Sequence, residues 1–85
     1  MEHFLASSLN SGDQAVITGI VAYSDGDPVA KRLRNLGFVE GEEFTLVTYG
    51  PLGKDPILFQ IGFTRFALRE SEASRLRIKV LPKDN

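Results

Sequence analysis

The stretch from Asp27 to Phe38, Asp-Pro-Val-Ala-Lys-Arg-Leu-Arg-Asn-Leu-Gly-Phe, constrains the fold more than any other part of the chain. It holds a start signal, an apolar stripe and a stop signal in register. Asp27 is a good N-cap, because its carboxylate can accept from the free amides of a first helical turn. Pro28 falls at the first helical position, where its missing N–H costs nothing. Val29, Leu33 and Leu36 recur at helical spacing and form one apolar stripe. Gly37 suits a left-handed C-cap, and Phe38 stands where the usual capping contact folds it back onto Leu33. These signals predict a helix over about 27–36. Lys31, Arg32 and Arg34 lie off the stripe, near the C-terminal end where positive charge is favourable.

Short strands surround this helix. Phe4, Leu5 and Leu9 make an apolar lead-in, a strand or an irregular segment packing on the core, and Asn10–Asp13 is a turn by composition. Gln14–Val21 reads as a strand with Val16 and Ile20 on its buried face, and Thr18-Gly19 suggests a bulge. After the helix, a turn at 39–42 leads to Glu43–Tyr49, where Phe44, Leu46 and Thr48 alternate inward. Gly50–Pro56, with two glycines and two prolines, reads as a loop. Ile57–Ile61 and Arg65–Arg69 flank a short turn and are expected to pair as a hairpin. Glu70–Ser74 suits one helical turn, about 70–74, and Leu76, Ile78 and Val80 alternate in a last strand. Five short strands are too few for a sandwich and suit a small, partly open barrel capped by the helix.

With 85 residues, the chain is expected to form one domain, 1–85. Basic and acidic residues balance at 10 against 11, which argues against a nucleic-acid binder working by bulk charge. The absence of cysteine excludes disulfides, thiolate nucleophiles and zinc fingers, and fits a reducing compartment. Met1–Ala6 does not read as a signal peptide, and no apolar run approaches the roughly 20 residues needed to span a bilayer. The expectation is a soluble, cytoplasmic protein without direct membrane insertion.

No catalytic constellation assembles. His3 is the one histidine, close to the N-terminus, and no serine or threonine has a base nearby in a recognisable motif. The expectation is a protein that is not an enzyme and needs no cofactor. Gly50-x-x-Gly53-Lys54 shares an outline with phosphate loops. It has two residues between the glycines instead of four, and Asp55-Pro56 and a strand follow instead of a helix. The same Gly-x-x-Gly in nucleic-acid-binding KH domains needs free backbone between helices.

Four pieces in order resemble the FeoA family, small cytosolic partners of the bacterial ferrous-iron transporter FeoB. They are Gly12–Ile17 opening the first strand, Arg32–Gly41 through the helix and turn, Tyr49–Ile57, and Ala67–Ala73 followed by Leu76 and Ile78. The third is similar to the family's Pro-Leu-Gly-Asp-Pro loop, with Lys54 inserted. The resemblance covers about residues 5 to 81. It implies an SH3-like five-stranded barrel, which agrees with the strand pattern. It also implies a role in ferrous-iron uptake through the cytosolic part of FeoB, which would recruit the chain to the inner face of the plasma membrane.

Residues for such docking are apolar groups on loops and strand ends. Leu52 is the leading candidate, at the tip of the Pro/Gly loop. Tyr49 and Phe63 follow at strand ends, and Lys31 and Arg34 offer a basic face to an acidic partner. The competing readings are that Leu52 folds under its loop and that the cations form a solvated face. Arg32 or Arg69 can instead be structural, for example by bonding a loop carbonyl. His3 with Glu2 is the remaining metal-ligating pair, able to hold a metal weakly or to bridge two chains into a homodimer. The alternative function is accordingly a metal-responsive regulatory or dimerisation domain.

Overall fold

The structure, a computed structural model, describes residues 4–5 and 9–82. In chain order the elements are β1 (Phe4–Leu5), β2 (Gln14–Ile20), α1 (Pro28–Leu36), β3 (Glu43–Leu52), β4 (Asp55–Ile61), β5 (Thr64–Leu68), α2 (Glu70–Ala73) and β6 (Leu76–Val80). The six strands form one antiparallel sheet in the order β1-β6-β2-β3-β4-β5. Ile17, Phe44, Leu46, Ile57, Phe59, Leu68, Leu76 and Ile78, from the five longer strands, join one buried cluster. A flat sheet with one short helix leaves much of such a face in water, so the sheet curls into the expected small barrel. The lead-in adds a two-residue strand, β1, at its edge.

The helix forms where its signals place it. Asp27 Oδ1 accepts from the amides of Val29 at 2.9 Å and Ala30 at 3.4 Å. Gly37 is left-handed, and the amides of Gly37 and Phe38 return to the carbonyls of Arg34 and Leu33 at 3.0 Å each, closing a Schellman stop. Ala30 and Leu33 are buried, and Val29 and Leu36 pack at the margin. Phe38 does more than cap. Its buried ring meets Phe59 and Phe66 edge-on at 5.8 and 5.5 Å, and Phe59 meets Phe44 at 5.4 Å. The helix stop therefore inserts the aromatic side chain that fastens α1 to the barrel.

Four sequence expectations change. The buried face of β2 is Ala15 and Ile17, not Val16, because the bulge between Ile17 and Gly19 shifts the phase and turns Ile20 back toward the core. In β3 the register shift between Leu46 and Thr48 leaves Thr48 exposed and turns Tyr49 inward. Most of the expected 50–56 loop is strand: β3 continues to Leu52, which pairs with Asp55 across the two-residue turn Gly53-Lys54. Both turn residues have positive φ, 63° and 72°, the geometry that lets a two-residue turn follow the strand twist. Gly50 is fixed by proximity. A Cβ there would lie 2.5 Å from the Pro56 carbonyl oxygen and 2.7 Å from that of Asp55. Val80 ends β6 partly exposed rather than joining the core.

Candidate functional site

The sheet order decides which candidate residues can act together. The β3–β4 turn and the β4–β5 turn lie at opposite ends of β4. Leu52, at the first, is 78% exposed, and Phe63, at the second, is fully exposed. Both are apolar groups in solvent, as the docking reading requires, and they occupy opposite ends of the barrel.

Tyr49 has an internal role. It is partly buried against the core, and its hydroxyl donates to the Leu9 carbonyl, tying the lead-in to β3. Burial, with smaller contributions from the negative charges of Asp13 and Glu70, raises its phenol pKa above the ordinary value. The Lys54 ammonium stands 5.3 Å from its ring centroid. Tyr49 thus supports the Leu52 hairpin from inside.

Lys31 and Arg34 are exposed on α1. Arg32, beside them, is ion-paired with Glu72 of α2. Arg69 is 3.3 Å from Asp55, and the other Asp55 oxygen accepts the Glu70 amide at 2.9 Å, capping α2 from outside. Arg32 and Arg69 therefore have structural partners, which are carboxylates rather than loop carbonyls. His3 and Glu2 lie outside the described residues.

One well-connected polar side chain escaped the sequence reading. Arg75, just before β6, donates to Asp27 Oδ2 at 2.7 Å and to the Val21 carbonyl at 3.3 Å. Its guanidinium carbon lies 3.7 Å from the Tyr23 ring centroid. Asp27 Oδ2 also accepts the Tyr23 amide at 2.9 Å. That amide bond is the largest cause holding the buried carboxyl down to about 2 from its ordinary 3.8. Desolvation opposes it, while Arg75 and the amides of Val29 and Ala30 add to it. The cluster organises the connection from β2 to α1. Its distant partner, 48 residues away, gave no local signal.

An open hollow of about 290 Å³ lies over β2, β3 and β4, lined by Gln14, Glu43, Phe44, Thr45, Gln60 and Gly62. Gln14, Thr45 and Gln60 stand in register across the three strands. Among the described residues no group of three or more His, Cys, Asp or Glu side chains could hold a metal ion, and no helix is long and apolar enough to cross a membrane.

Known proteins share this arrangement. A Stenotrophomonas maltophilia FeoA, solved in complex with zinc and described as a prokaryotic SH3 domain protein, is 46% identical with a TM-score of 0.79, covering 89% of each chain. The Chlorobium tepidum FeoA protein is 30% identical with a TM-score of 0.81, covering 96% of this chain and 74% of that one. An Fe(2+) transport protein A/Fe(2+) transporter FeoB fusion protein from Porphyromonas gingivalis is 34% identical over 76 residues, 88% of this chain and 8% of the fusion's length. The FeoA domain family matches residues 5–80. With the helix, barrel and hairpins in place along that whole match, this chain belongs to the FeoA family, whose members serve ferrous-iron transport.

Proposed function

We propose that this chain is a non-enzymatic accessory protein of bacterial ferrous-iron uptake that binds the cytosolic part of FeoB and modulates transport. The observation that carries the reading is the Porphyromonas gingivalis fusion, in which a domain similar to this one shares a chain with FeoB. Covalent linkage holds two modules at a high effective concentration, an arrangement that suits domains which work in contact. A separate chain must supply the affinity itself, and exposed apolar side chains are the means.

Leu52 is the anchor in this reading. It projects from a hairpin braced by Tyr49, so its exposure is imposed by the turn rather than by a floppy loop. Phe63 provides a second apolar point, and Lys31 and Arg34 meet acidic groups on the partner. The protein works in the cytoplasm, at the membrane face where FeoB recruits it. It changes transport by preferring one conformation of FeoB over another, the only way a bound protein can shift an equilibrium. The test is an NMR titration of the labelled chain with the soluble cytosolic part of FeoB, with and without guanine nucleotide. Shifts clustered at 49–56 and dependent on nucleotide are expected. Absence of shifts at millimolar concentrations overturns docking on that part of FeoB.

A second reading, metal-linked self-association, draws on the zinc complex of the Stenotrophomonas maltophilia relative. Among the described residues no ligand cluster is present, so this reading assigns the ligands to Glu2 and His3 of two copies. Calorimetry with Zn²⁺ and Fe²⁺ on the wild type and His3→Ala tests it. Equal heats for both proteins dismiss it.

A further inference from the structure

We infer that the outer edge of β5 takes an extended, acidic segment of a protein partner as an added strand. The inference deepens the FeoB-docking reading and rests on it for the identity of the partner. β5 ends the sheet, with β4 on one side and no described strand on the other. Its five pairs with β4 run without a register shift, unlike β2–β6 and β3–β4. Ile61 and Thr64 close a two-residue turn, so theirs is a hydrogen-bonded pair, and strict alternation gives Phe59–Phe66 and Ile57–Leu68 the same character. The N–H and C=O groups of Arg65 and Ala67 therefore point away from β4. No proline or glycine interrupts β5.

The side chains beside this edge define its partner. Phe66 and Leu68 face the core, while Arg65, Ala67 and Arg69 are exposed. Ala67 between the two arginines leaves the approach open. Arg65 gives its Nε–H to Gln60 at 2.9 Å and keeps the rest of its five-donor fork for other acceptors. If two copies paired β5 antiparallel over its full length, Arg65 and Arg69 would fall opposite or diagonal to the other copy's arginines, a repulsive arrangement. A partner strand with carboxylates four residues apart turns the same two charges into attraction. Such a strand also resolves the separation of the apolar candidates. From Phe63 to Arg69 is about 20 Å of extended chain. Arg69 contacts Asp55, the cross-strand partner of Leu52. One added strand thus runs from Phe63 to the Leu52 hairpin.

The test titrates the labelled full chain in parallel with the FeoB cytosolic part and with a blocked seven-residue peptide of alternating Val and Thr bearing two glutamates four residues apart. A glutamine analogue of the peptide serves as control. Ala67 faces Leu58 in a non-hydrogen-bonded pair, so Ala67→Pro removes one outward N–H without removing a hydrogen bond to β4, and it is expected to weaken both interactions about tenfold or more. Arg65→Glu is the second variant, and both are checked for native spectra. Shifts over residues 64–69, lost in either variant and absent with the glutamine peptide, support the inference. FeoB binding that maps elsewhere and survives both variants, with no peptide binding, overturns the edge inference and leaves the docking reading standing. Peptide binding at 64–69 without FeoB binding supports the edge and overturns FeoB as its partner. No binding of either probe overturns both. Shifts at 64–69 that depend on the chain's own concentration assign the edge to a second copy and overturn the acidic segment.

Discussion

The Arg75 guanidinium lies 2.7 Å from the Asp27 carboxylate, joining the approach to the last strand to the N-cap of the helix. Both side chains are almost wholly removed from water, at 11% and 5% exposure. A carboxylate in that position needs its partners, and Asp27 has four: Arg75 and the amides of Tyr23, Val29 and Ala30. One carboxylate thus starts the helix and ties it to the approach to β6.

This relationship predicts a specific acid response. The native Asp27 carboxyl titrates at about 2, against 3.8 ordinarily. Between those values the unfolded chain takes up a proton that the native protein refuses, so stability falls as pH falls through that window. Above it the contribution is fully present. Asp27→Asn keeps a capping oxygen but leaves Arg75 without its counter-charge. The variant is expected to melt at lower temperature at pH 7, with a shallower loss of melting temperature from pH 4 to pH 2. A variant whose melting curve against pH runs parallel to the wild type counts against the assignment.

Local chemistry and distant pairing explain what the sequence disclosed. The helix was legible because Asp27, Pro28, Gly37 and Phe38 act within one segment, through capping and backbone geometry. The Gly50–Pro56 stretch reads as a loop because Gly and Pro composition signals one, whereas pairing of Leu52 with Asp55 extends the strand. Simple alternation places Val16 inward, and the bulge's effect on phase depends on the neighbouring strand, which local sequence does not show. Leu52 and Phe63 are legible as apolar residues at turns, but that Leu52 stands in solvent rather than under its loop is decided by the strand pairing that carries the turn outward. That they stand at opposite ends follows only from the topology.

Gly50 is a position where added volume meets only backbone. A methyl group there lies 2.5 to 2.8 Å from atoms of Asp55 and Pro56, too close for van der Waals contact, and no side chain can swing aside. Gly50→Ala is expected to cost about 2 kcal/mol or more in urea denaturation, in the range of overpacked interiors. It should also disturb the Leu52 hairpin, visible as changed amide shifts over residues 49–56. An unchanged denaturation midpoint would contradict the close approach.

Phe38 links the helix stop to the aromatic interior. Its removal opens a cavity bordered by Phe59 and Phe66, whose rings lose their edge-on partner. Phe38→Ala is expected to destabilise the domain by about 4 kcal/mol in chemical denaturation. Loss on that scale, a large share of a small domain's stability, should leave Phe38→Leu as the milder replacement. Equal effects of Ala and Leu would show that volume at this site does not matter.

Leu52 and Phe63 separate binding from folding. Both are exposed, so polar replacements remove little buried surface and should stay within about 0.5 kcal/mol of wild-type stability. Leu52→Ser is expected to weaken binding to the FeoB cytosolic part by about tenfold, the loss that follows when an anchoring apolar side chain no longer leaves water. Phe63→Ser acts from the opposite end, so for a partner that spans the barrel the two losses should add in the double variant. A partner seated only on the β3–β4 hairpin would respond to Leu52→Ser and ignore Phe63→Ser. Titration calorimetry on the two single variants and the double distinguishes these geometries, and unchanged affinity in all three removes both residues from the docking surface.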